Sequence, residues 1–322
     1  MKICVLAPAE WKEHDQDPSP YFQEWRAPIF WIAKAKARQQ IRALIKKDFD
    51  VFINLCDGCG DDEEAGIEVV HALEKHERAF TGARSPFYDP SRAEMKRACE
   101  RVGVQTPRFY FATTEREAQE AAKEMRFPLI VKHPNAHCSV GLLKKSRVEN
   151  SAQLRAQTRR VIAEYGGALI EEFIDGREFD VLVVENADDP AKPFAYPPVE
   201  FIFPPDESFK HYDLKWINYD SMSCVPCKDR ALAARLQAMS KKIFVALNGS
   251  GYGRCDIRMD ARGELYLLEI NPNCGIFYPP DELGSADFIL TQHPGGHRDF
   301  IERIIRAALN YQDSRQREKV LA

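Results

Sequence analysis

The order of apolar and polar positions along the chain predicts a mixed α/β fold. Two short apolar runs, at 2–7 and 50–55, are typical of buried parallel strands. Residues 29–47 between them follow a helical pattern, so we expect the chain to open with a βαβ unit. Further strands are predicted at 127–132, 168–173, 180–185 and 196–203, and further helices at 91–103, 151–165, 230–247, 281–291 and 298–311. The last residues are expected to form a charged tail.

The stretch 249–275, GSGYGRCDIRMDARGELYLLEINPNCG, predicts a hairpin with one polar and one apolar face. We expect its strands at 254–260 and 265–271, joined by a four-residue turn at 261–264. Successive side chains of a strand point to opposite faces of the sheet. In this register the apolar face carries Cys255, Ile257, Met259, Tyr266, Leu268 and Ile270. We therefore expect the polar face to line a cleft.

The polar face of this hairpin predicts a cation site. Counting outward from the turn places Asp256 opposite Glu269, and Arg254 opposite Asn271. Two like charges that face each other across paired strands repel, so something positive should lie between the acids. Carboxylate and amide oxygens suit Mg²⁺, which completes its shell with water and phosphates, and a neighbouring arginine suits a phosphate or a developing anion. The alternative is a surface hairpin whose charges face water.

Composition places the chain among ordinary globular proteins. It has 322 residues, which suggests two or three domains, with 44% hydrophobic and 29% charged residues and a net charge of −4. Without a basic excess, nucleic acid is not expected as a partner. No apolar run approaches 18 residues and no signal peptide is recognised, so we expect a cytoplasmic protein that does not bind membranes.

Two C-x-x-C pairs offer a different reading, a zinc or redox protein. They are Cys56 with Cys59 and Cys224 with Cys227, out of nine cysteines. The pairs lie far apart, and no histidine at ligand spacing supports them. We expect most of the cysteines to be free thiols, as in a reducing compartment.

The segment GRCDIRMDARGELYLLEINPNCG resembles the C-terminal motif of ATP-grasp ligases, and among them the D-alanine–D-alanine ligase family. The resemblance implies an ATP-grasp fold, with a Rossmann-like N-terminal domain at 1–85 and two α+β subdomains at 86–178 and 179–322 that clamp ATP. In that family the Asp, Glu and Asn of the motif bind two Mg²⁺ ions, for which Mn²⁺ is an alternative. By resemblance, Asp256, Glu269 and Asn271 would be the metal ligands, and Arg254 and the N–H of Gly275 would stabilise the tetrahedral intermediate.

The resemblance also implies a set of nucleotide contacts. The helix of EMKRACERVG carries Lys96 where the family has a nucleotide-contacting lysine, although alone it would read as a solvated surface lysine. VKHPNAHCSVG resembles the family's phosphate loop, and ALIEEFIDGREFDV resembles its hinge. The expected contacts are Lys96, Lys132, Ser139, Gly141, Glu171, Glu172, Phe173, Ile174, Glu178, Lys215 and Leu268, with Lys215 and Ser139 also expected to act in catalysis.

The phosphate loop departs from the family pattern at three positions. His133 precedes the proline, His137 replaces a glycine, and Cys138 replaces the first serine. A bulkier loop has less conformational freedom to fold over phosphates. Histidine side chains ordinarily change charge near neutral pH, so a catalytic role for either residue is left open.

A long loop, PPDESFKHYDLKWINYDS, is typical of a lid. The family lid carries a lysine for the transferred phosphoryl group, and Lys215 is the candidate. Its interval from the tyrosine differs from the family pattern, so Lys210 is the alternative.

The implied reaction joins a carboxylate to an amine through an acyl phosphate with release of ADP. After Gly275 the chain reads IFYPPDELGS, and its first loop reads PAEW, both unlike the D-alanine enzymes. We therefore expect other amino-acid-like substrates and a larger or more aromatic pocket, with candidate substrate contacts at Glu10, Cys138, Trp216 and Tyr278. The alternatives are D-alanine–D-alanine ligase itself and a nucleotide-binding protein without catalysis. A homodimer is expected from the family.

Overall fold

The computed structural model describes residues 1–14, 16–60, 63–135, 139–218 and 221–321. The strands are β1 (Ile3–Pro8), β2 (Ile29–Ile32), β3 (Val51–Asn54), β4 (Phe109–Ala112), β5 (Leu129–Lys132), β6 (Arg147–Val148), β7 (Ala168–Glu172), β8 (Arg177–Val184), β9 (Phe194–Ala195), β10 (Val199–Ile202), β11 (Ser223–Pro226), β12 (Tyr252–Met259) and β13 (Leu265–Pro272). The α-helices are α1 (Ala37–Ile45), α2 (Ile67–Lys75), α3 (Arg92–Val102), α4 (Glu115–Ala122), α5 (Ser151–Tyr165), α6 (Tyr212–Trp216), α7 (Arg230–Ala246), α8 (Ser285–Thr291) and α9 (Gly296–Leu321).

The N-terminal sheet has the order β2-β1-β3, and both pairings are parallel. The two apolar runs predicted as buried parallel strands are β1 and β3. The helix predicted over 29–47 is wrong at its start, because Ile29–Ile32 forms β2 beside β1 and the helix α1 covers only Ala37–Ile45. The run Ile-Phe-Trp-Ile consists of β-branched and aromatic residues, which favour a strand where a sheet edge is within reach.

The middle sheet has the order β4-β7-β5-β6 and is antiparallel. Helices α4 and α5 pack on it around a small apolar core that includes Leu129, Val131 and Ile170. The predicted bounds of α5 are confirmed, since the helix runs from Ser151 to Tyr165.

Helix α3 has the predicted capping box. Ser91 Oγ accepts from Glu94 N, and the Glu94 carboxylate accepts from Ser91 N, while Gly103 ends the helix in the left-handed conformation. This helix packs on α7 and β13, and its Lys96 reaches Glu171 of the middle sheet. The division into domains at 85 and 178 stays a prediction.

The third sheet has the order β11-β10-β8-β12-β13, with β9 paired to β8. Alternate residues of β8 face opposite ways. Phe179, Val181 and Val183 pack in a core with α7 and α3, whereas Leu182 and Val184 pack under α8 and α9. Glu178 and Asp180 share the face of Leu182 but lie beyond this cover. A polar cleft therefore opens where the helices stop covering the sheet.

The predicted pairing of Asp256 with Glu269 and of Arg254 with Asn271 is confirmed. The pairing predicted nearer the turn is wrong, because Asp260 N donates to Glu264 O and the turn is one residue shorter than expected. Gly263, at φ +82°, supplies the left-handed conformation that this tighter turn requires.

A bulge between Asp256 and Ile257 inserts one extra residue, Leu268, into β13 and restores the register. The apolar face of β13 is consequently made by Leu265, Leu267 and Ile270, which are buried in the core. The prediction that Tyr266 and Leu268 belong to that face is wrong, and both are only half-buried.

The C-terminal region is more helical than expected. Helix α8 begins at Ser285 instead of 281, and α9 runs from Gly296 to Leu321, so the predicted helix end at 311 is wrong and the charged last residues are helical. The lid loop contains the short helix α6. Across the described residues, the helices lack the combination of length and apolar character that crossing a bilayer demands.

Candidate active site

Three carboxylates form a row across adjacent strands of the third sheet. Asp256 of β12 lies opposite Glu269 on β13 and opposite Asp180 on β8. Asp180 is fully buried and Asp256 is 6% exposed. Like charges in such positions destabilise a sheet unless cations accompany them, so the partners of this carboxylate row decide what it can bind.

Two guanidinium groups accompany the carboxylate row. Arg254 donates through Nε to Asp256 Oδ1 at 2.8 Å and through Nη2 to Asp256 Oδ2 at 3.2 Å. Its Nε also lies 3.2 Å from Asp180 Oδ2. At the other end of the row, Arg92 of α3 forms an ion pair with Glu269. The positive charge expected beside the paired acids is therefore present, and it comes from protein side chains.

Asn271 completes the set of groups expected to hold a cation. Its Nδ2 lies 3.2 Å from Glu269 Oε1 and 3.5 Å from Asp256 Oδ2, so the amide sits between the two carboxylates. Burial raises the pKa of the Asp256 carboxyl, while Arg254 opposes this shift and Asp180 adds to it. Two acids and an amide that converge in this way fit Mg²⁺.

Within the described residues, no group of three or more His, Cys, Asp or Glu side chains is arranged to hold a metal ion. A cation at the carboxylate row would thus depend on Asn271 and on ligands from the nucleotide or water. That is the usual pattern for Mg²⁺, which rarely occupies an all-protein cage.

Lys210 of the lid loop reaches into the same cleft. Its Nζ lies 2.9 Å from Glu178 Oε1 and 3.2 Å from Asp180 Oδ1. Arg258 of β12 holds the other oxygen of Glu178 through Nε at 3.0 Å. Burial alone would lower the pKa of Lys210, but the two carboxylates outweigh it and the pKa is raised. Glu178, expected as a ribose contact, therefore has two cationic partners.

The other lid lysine, Lys215, lies on α6 beside Trp216. Lys215 is half-buried on α6, with its ammonium 5.1 Å from the centroid of the Trp216 ring. Trp216 itself is half exposed. Of the two lysines considered from the sequence, the structure brings Lys210 to the carboxylates.

A second charge cluster lies on the middle sheet and consists of Lys96, Lys132 and Glu171. We call this cluster the lysine pair with its acid. Glu171 Oε2 lies 2.7 Å from Lys132 Nζ, and its Oε1 forms an ion pair with Lys96. Lys96 also donates to Thr106 Oγ1 at 2.5 Å. Burial by itself would raise the pKa of Glu171, but Lys132 and Lys96 outweigh it and lower the pKa to about 2. This cluster carries one more positive than negative charge.

Lys96 corrects the reading that its position alone suggested. A lysine in the second turn of an exposed helix is usually solvated, yet Lys96 is only 1% exposed. Burial lowers its pKa, and Glu171 opposes this shift. A lysine kept buried beside an acid is costly unless the pair has a role, which supports the nucleotide contact that the resemblance implies.

The phosphate loop is tied to the lid. Ser139 Oγ donates to the Lys210 carbonyl at 3.0 Å, and Tyr212 N donates to the Leu142 carbonyl at 2.8 Å. The Gly141 carbonyl accepts from Arg160 Nη2 at 2.9 Å. His133 has a structural contact, since its Nδ1 accepts from Asn135 N at 2.9 Å. The candidate residues Cys138 and His137 lie outside the described residues.

The hinge segment joins the two clusters. Phe173 is 9% exposed, and its ring packs 5.8 Å from that of Phe209 in the lid loop. The Ile174 carbonyl accepts from Arg258 Nη1 at 2.7 Å, and Glu172 N donates to the Arg108 carbonyl at 2.9 Å. Arg258 thus connects the hinge to Glu178 on the third sheet.

Two of the candidate substrate residues, Tyr278 and Glu10, follow β13 and β1 in the chain. The Tyr278 hydroxyl lies over Gly275 so closely that a side-chain carbon there would come within 2.5 Å of it. Glu10 lies in a 3-10 turn after β1, and its Oε2 is buried without a hydrogen-bond partner among the described residues. Arg254 Nη1 donates to Ser285 Oγ at 3.2 Å, which brings the start of α8 to the carboxylate row.

Sequence reasoning missed Arg92, Asp180 and Arg258. Alternation in Arg-Glu-Phe-Asp of β8 places Asp180 on the face of Glu178, and alternation along β12 places Arg258 on the face of Asp256, so both were detectable. Arg92 is a cation in the first turn of a helix, where the dipole disfavours it, and this anomaly was its only local signal. The four cysteines of the two C-x-x-C pairs form no disulfide bond within the described part of the chain.

The sequence of the chain is similar to a family model and to curated proteins. A family model described as "D-ala D-ala ligase C-terminus" matches residues 99–278. A D-alanine–D-alanine ligase of Marinomonas sp. (strain MWYL1) is 29% identical over 71% of this chain and 69% of its own length. One of Lactococcus lactis subsp. cremoris (strain SK11) is 30% identical over 88% of this chain and 79% of its own length.

Among solved structures, the chain resembles the crystal structure of a D-alanine–D-alanine ligase from Bacillus anthracis complexed with ATP. The TM-score is 0.68 at 18% identity, and the match covers 98% of this chain and 99% of that one. The ATP-grasp fold predicted from the sequence is confirmed.

Proposed function

This chain belongs to the D-alanine–D-alanine ligase family of ATP-dependent ligases, which form C–N bonds, and from that premise we propose that it joins two amino-acid-like substrates through an acyl phosphate. One substrate carboxylate takes the γ-phosphoryl group of ATP, with release of ADP. The amine of the other substrate then attacks the acyl phosphate and phosphate leaves. The observation that carries the proposal is the carboxylate row with Arg254 at its centre.

The lysine pair with its acid supports the nucleotide end of this proposal. Lys96 and Lys132 share one carboxylate, so the cluster has a spare positive charge for phosphate oxygens. The hinge at 172–174 and Leu268, which lies half-buried on the cleft side of β13, are proposed to hold the adenine. Glu178 is proposed to meet the ribose hydroxyls.

Asp256, Glu269 and Asn271 are proposed to hold Mg²⁺, or Mn²⁺ in its place. A divalent cation at this position neutralises charge on the phosphates of ATP. Asp256 and Asp180 fix the position of Arg254. Arg254 is therefore proposed as a preorganised donor for the oxyanion of a tetrahedral intermediate. Gly275 N–H is proposed as a second donor, and Ser139 and the lid lysines as phosphoryl contacts.

The side chains at the substrate end of the site suit the amino and carboxylate groups of amino-acid substrates. Glu10 has a buried, unpartnered carboxylate oxygen among the described residues, which suits the amino group of the first substrate. Family members use a serine after the final glycine for the second substrate's carboxylate, and Ser285 beside Arg254 is proposed for that role. Cys138, Trp216 and Tyr278 are proposed as further substrate contacts.

We propose that the substrates are not two molecules of D-alanine. The segment after Gly275 carries Phe277, Tyr278 and two prolines, and the ring of Tyr278 packs against Gly275. D-alanine–D-alanine ligase itself is the second candidate, because the curated relatives carry that name. We also propose a homodimer and, because the reaction consumes ATP, a cytoplasmic location.

A phosphate-release assay over a panel of D- and L-amino acids, singly and in pairs, tests the proposal. We expect turnover that requires ATP, Mg²⁺ and an amino acid, with a pair other than D-alanine alone as the best substrate. Strong turnover with D-alanine alone would favour the second candidate. Nucleotide binding without ADP formation under any pair would instead indicate a binding protein without catalysis.

A further inference from the structure

A second cavity lies apart from the carboxylate row and from the lysine pair. Its volume is about 350 Å³, near the lower end of the usual range for small-molecule sites. The walls come from the segment 74–86 after the N-terminal sheet, from the loop before β12 at 248–250, and from α9 at 311–319. None of the residues assigned above to ATP, metal or substrate lines it. We call it the α9 cavity.

The α9 cavity is rich in cations. Arg78, Arg84, Arg315 and Lys319 line it, against the two carboxylates Glu74 and Glu77. The whole chain has a net charge of −4, so this local excess runs against the overall balance. A cavity with this charge attracts an anion.

The four cations are not equally engaged with protein partners. Arg84 lies 2.6 Å from Glu185, and Lys319 forms an ion pair with Glu77. Arg78 Nη2 donates to the Phe49 carbonyl, and its Nε is buried without a hydrogen-bond partner among the described residues. Arg315 reaches the Tyr311 hydroxyl at 3.4 Å, a neutral partner. Both guanidinium groups thus have neutral hydrogen-bond acceptors, and a charged acceptor would be a stronger partner for each.

The apolar part of the wall is aromatic. Phe80 and Tyr311 line the cavity, and the guanidinium of Arg84 stacks 3.7 Å from the centroid of the Tyr311 ring. A stacked guanidinium and ring form a flat surface against which another planar group can lie. The shape therefore favours a flat ligand over a compact inorganic ion.

We propose that the α9 cavity is a binding site for a small planar organic anion of the aromatic carboxylate class. The aromatic body lies against Tyr311 and Phe80, and the carboxylate meets Arg315 and Arg78. The ligand contacts Arg84, and the neighbouring Ala83 N donates to Asn273 Oδ1 at 2.7 Å. Asn273 follows directly on β13, the strand that carries Glu269. The occupied cavity is therefore connected through Arg84 and Ala83 to the end of that strand.

Calorimetric titration of the full chain with 2-naphthoate tests this site. We expect saturable one-to-one binding that ATP does not displace. The neutral alcohol of the same shape, 2-naphthalenemethanol, should bind at least tenfold more weakly because it lacks the anion. Absence of saturable binding, displacement by ATP, or equal binding of the alcohol would overturn the proposal.

Charge reversal on α9 locates the site. Arg315→Glu should weaken 2-naphthoate binding at least tenfold. Arg317→Glu makes the same charge change on the same helix at a position that does not line the cavity, and it should alter the affinity less than twofold. Both residues are exposed, so neither change should unfold the chain. Equal losses in the two variants would show a nonspecific charge effect and reject the site.

Discussion

The two charge clusters of the cleft are built in opposite ways. In the lysine pair with its acid, two ammonium groups share the one carboxylate of Glu171, and Lys96 and Glu171 are each about 1% exposed. In the carboxylate row, three acids lie side by side on neighbouring strands, where Arg254 belongs to the same sheet and Arg92 and Lys210 come from outside it. A fixed excess of positive charge suits phosphate, whereas a row of acids that takes part of its counter-charge from other elements suits a metal cation that can replace those side chains.

The largest effect is expected from Arg254→Ala at the centre of the carboxylate row. The guanidinium holds Asp256 and Asp180 and is proposed to donate to the oxyanion, so its loss should lower kcat by about 10²- to 10³-fold, or roughly 3 to 4 kcal/mol of barrier. The affinity for ATP should change less than about threefold, because the lysine pair is intact. Steady-state ADP release and calorimetric ATP binding measure the two quantities.

Arg254→Lys separates the two roles of this side chain. A lysine keeps the charge beside the acids but loses the planar fork, so we expect it to recover more of the free energy of unfolding than of kcat. A parallel recovery of stability and turnover would mean that Arg254 acts only as a structural counterion. The two clusters would then differ only in their balance of positive and negative charges.

The next largest effect is expected from Glu171→Gln on the middle sheet. The quantity to measure is the free energy of unfolding as a function of pH. The pKa of Glu171 is lowered from 4.5 to about 2 in the folded chain, so its contribution is present above about pH 4.5 and is lost as the pH falls towards 2. At pH 7 the variant should be less stable by on the order of 3 kcal/mol, and this gap should close between those two pH values.

Urea unfolding at a series of pH values measures this gap. The exposed Glu149 of the same domain supplies the control, since Glu149→Gln should change the free energy of unfolding by less than about 0.5 kcal/mol throughout. A gap for Glu171→Gln that stays constant down to pH 2 would mean that the two lysines do not hold the carboxylate in its charged form.

A smaller effect is expected from Lys132→Met on the affinity for ATP. Lys132 ends β5 with its ammonium 2.7 Å from Glu171, and its loss removes the spare positive charge of the cluster. We expect the dissociation constant for ATP to rise about tenfold, or roughly 1.4 kcal/mol. Lys145→Met removes an exposed lysine of the same domain and should leave it within about twofold. Equal losses of ATP affinity in the two variants would mean that the effect comes from the net charge of the domain and not from the position of Lys132.

Local signals were sufficient to predict much of the fold. The capping box at Ser91 and the helix 151–165 depend on neighbouring residues, and both are confirmed. The segment 29–32 consists of β-branched and aromatic residues that suit a strand, but nothing near it in sequence indicated the sheet edge that it joins, so it was predicted as helix. Its pairing with β1 is a tertiary contact that the local pattern could not supply.

The site shows the same limit. Asp256 and Glu269 were placed opposite each other because they belong to one hairpin, whereas Arg92 and Lys210 reach the acids from elements far away in sequence. No spacing rule connects residues that meet only through the tertiary fold. The resemblance to a known family supplied Lys96, Lys132 and Glu171, which local patterns alone would not have grouped.

The smallest effect is expected from Leu268→Ala, and it tests which face of β13 belongs to the cleft. The turn is one residue shorter than its sequence suggested, and the bulge adds one residue back, so the acids keep their pairing while Leu268 leaves the core face. Leu268 is half-buried on the cleft side, and its truncation should cost less than about 1 kcal/mol of stability. The loss of its proposed contact with adenine should make ATP binding several-fold weaker, since about 1 kcal/mol of apolar contact is removed.

Leu267→Ala is the matched control, because Leu267 is 1% exposed and faces the core. It should cost about 2 to 5 kcal/mol of stability and leave the affinity for ATP unchanged in the folded protein. Thermal unfolding and ATP titration of the two variants therefore give opposite patterns. The reverse pattern would place Leu268 in the core and Leu267 in the cleft, which would require the hairpin to pair without its bulge around a four-residue turn at 261–264, with Glu269 still opposite Asp256.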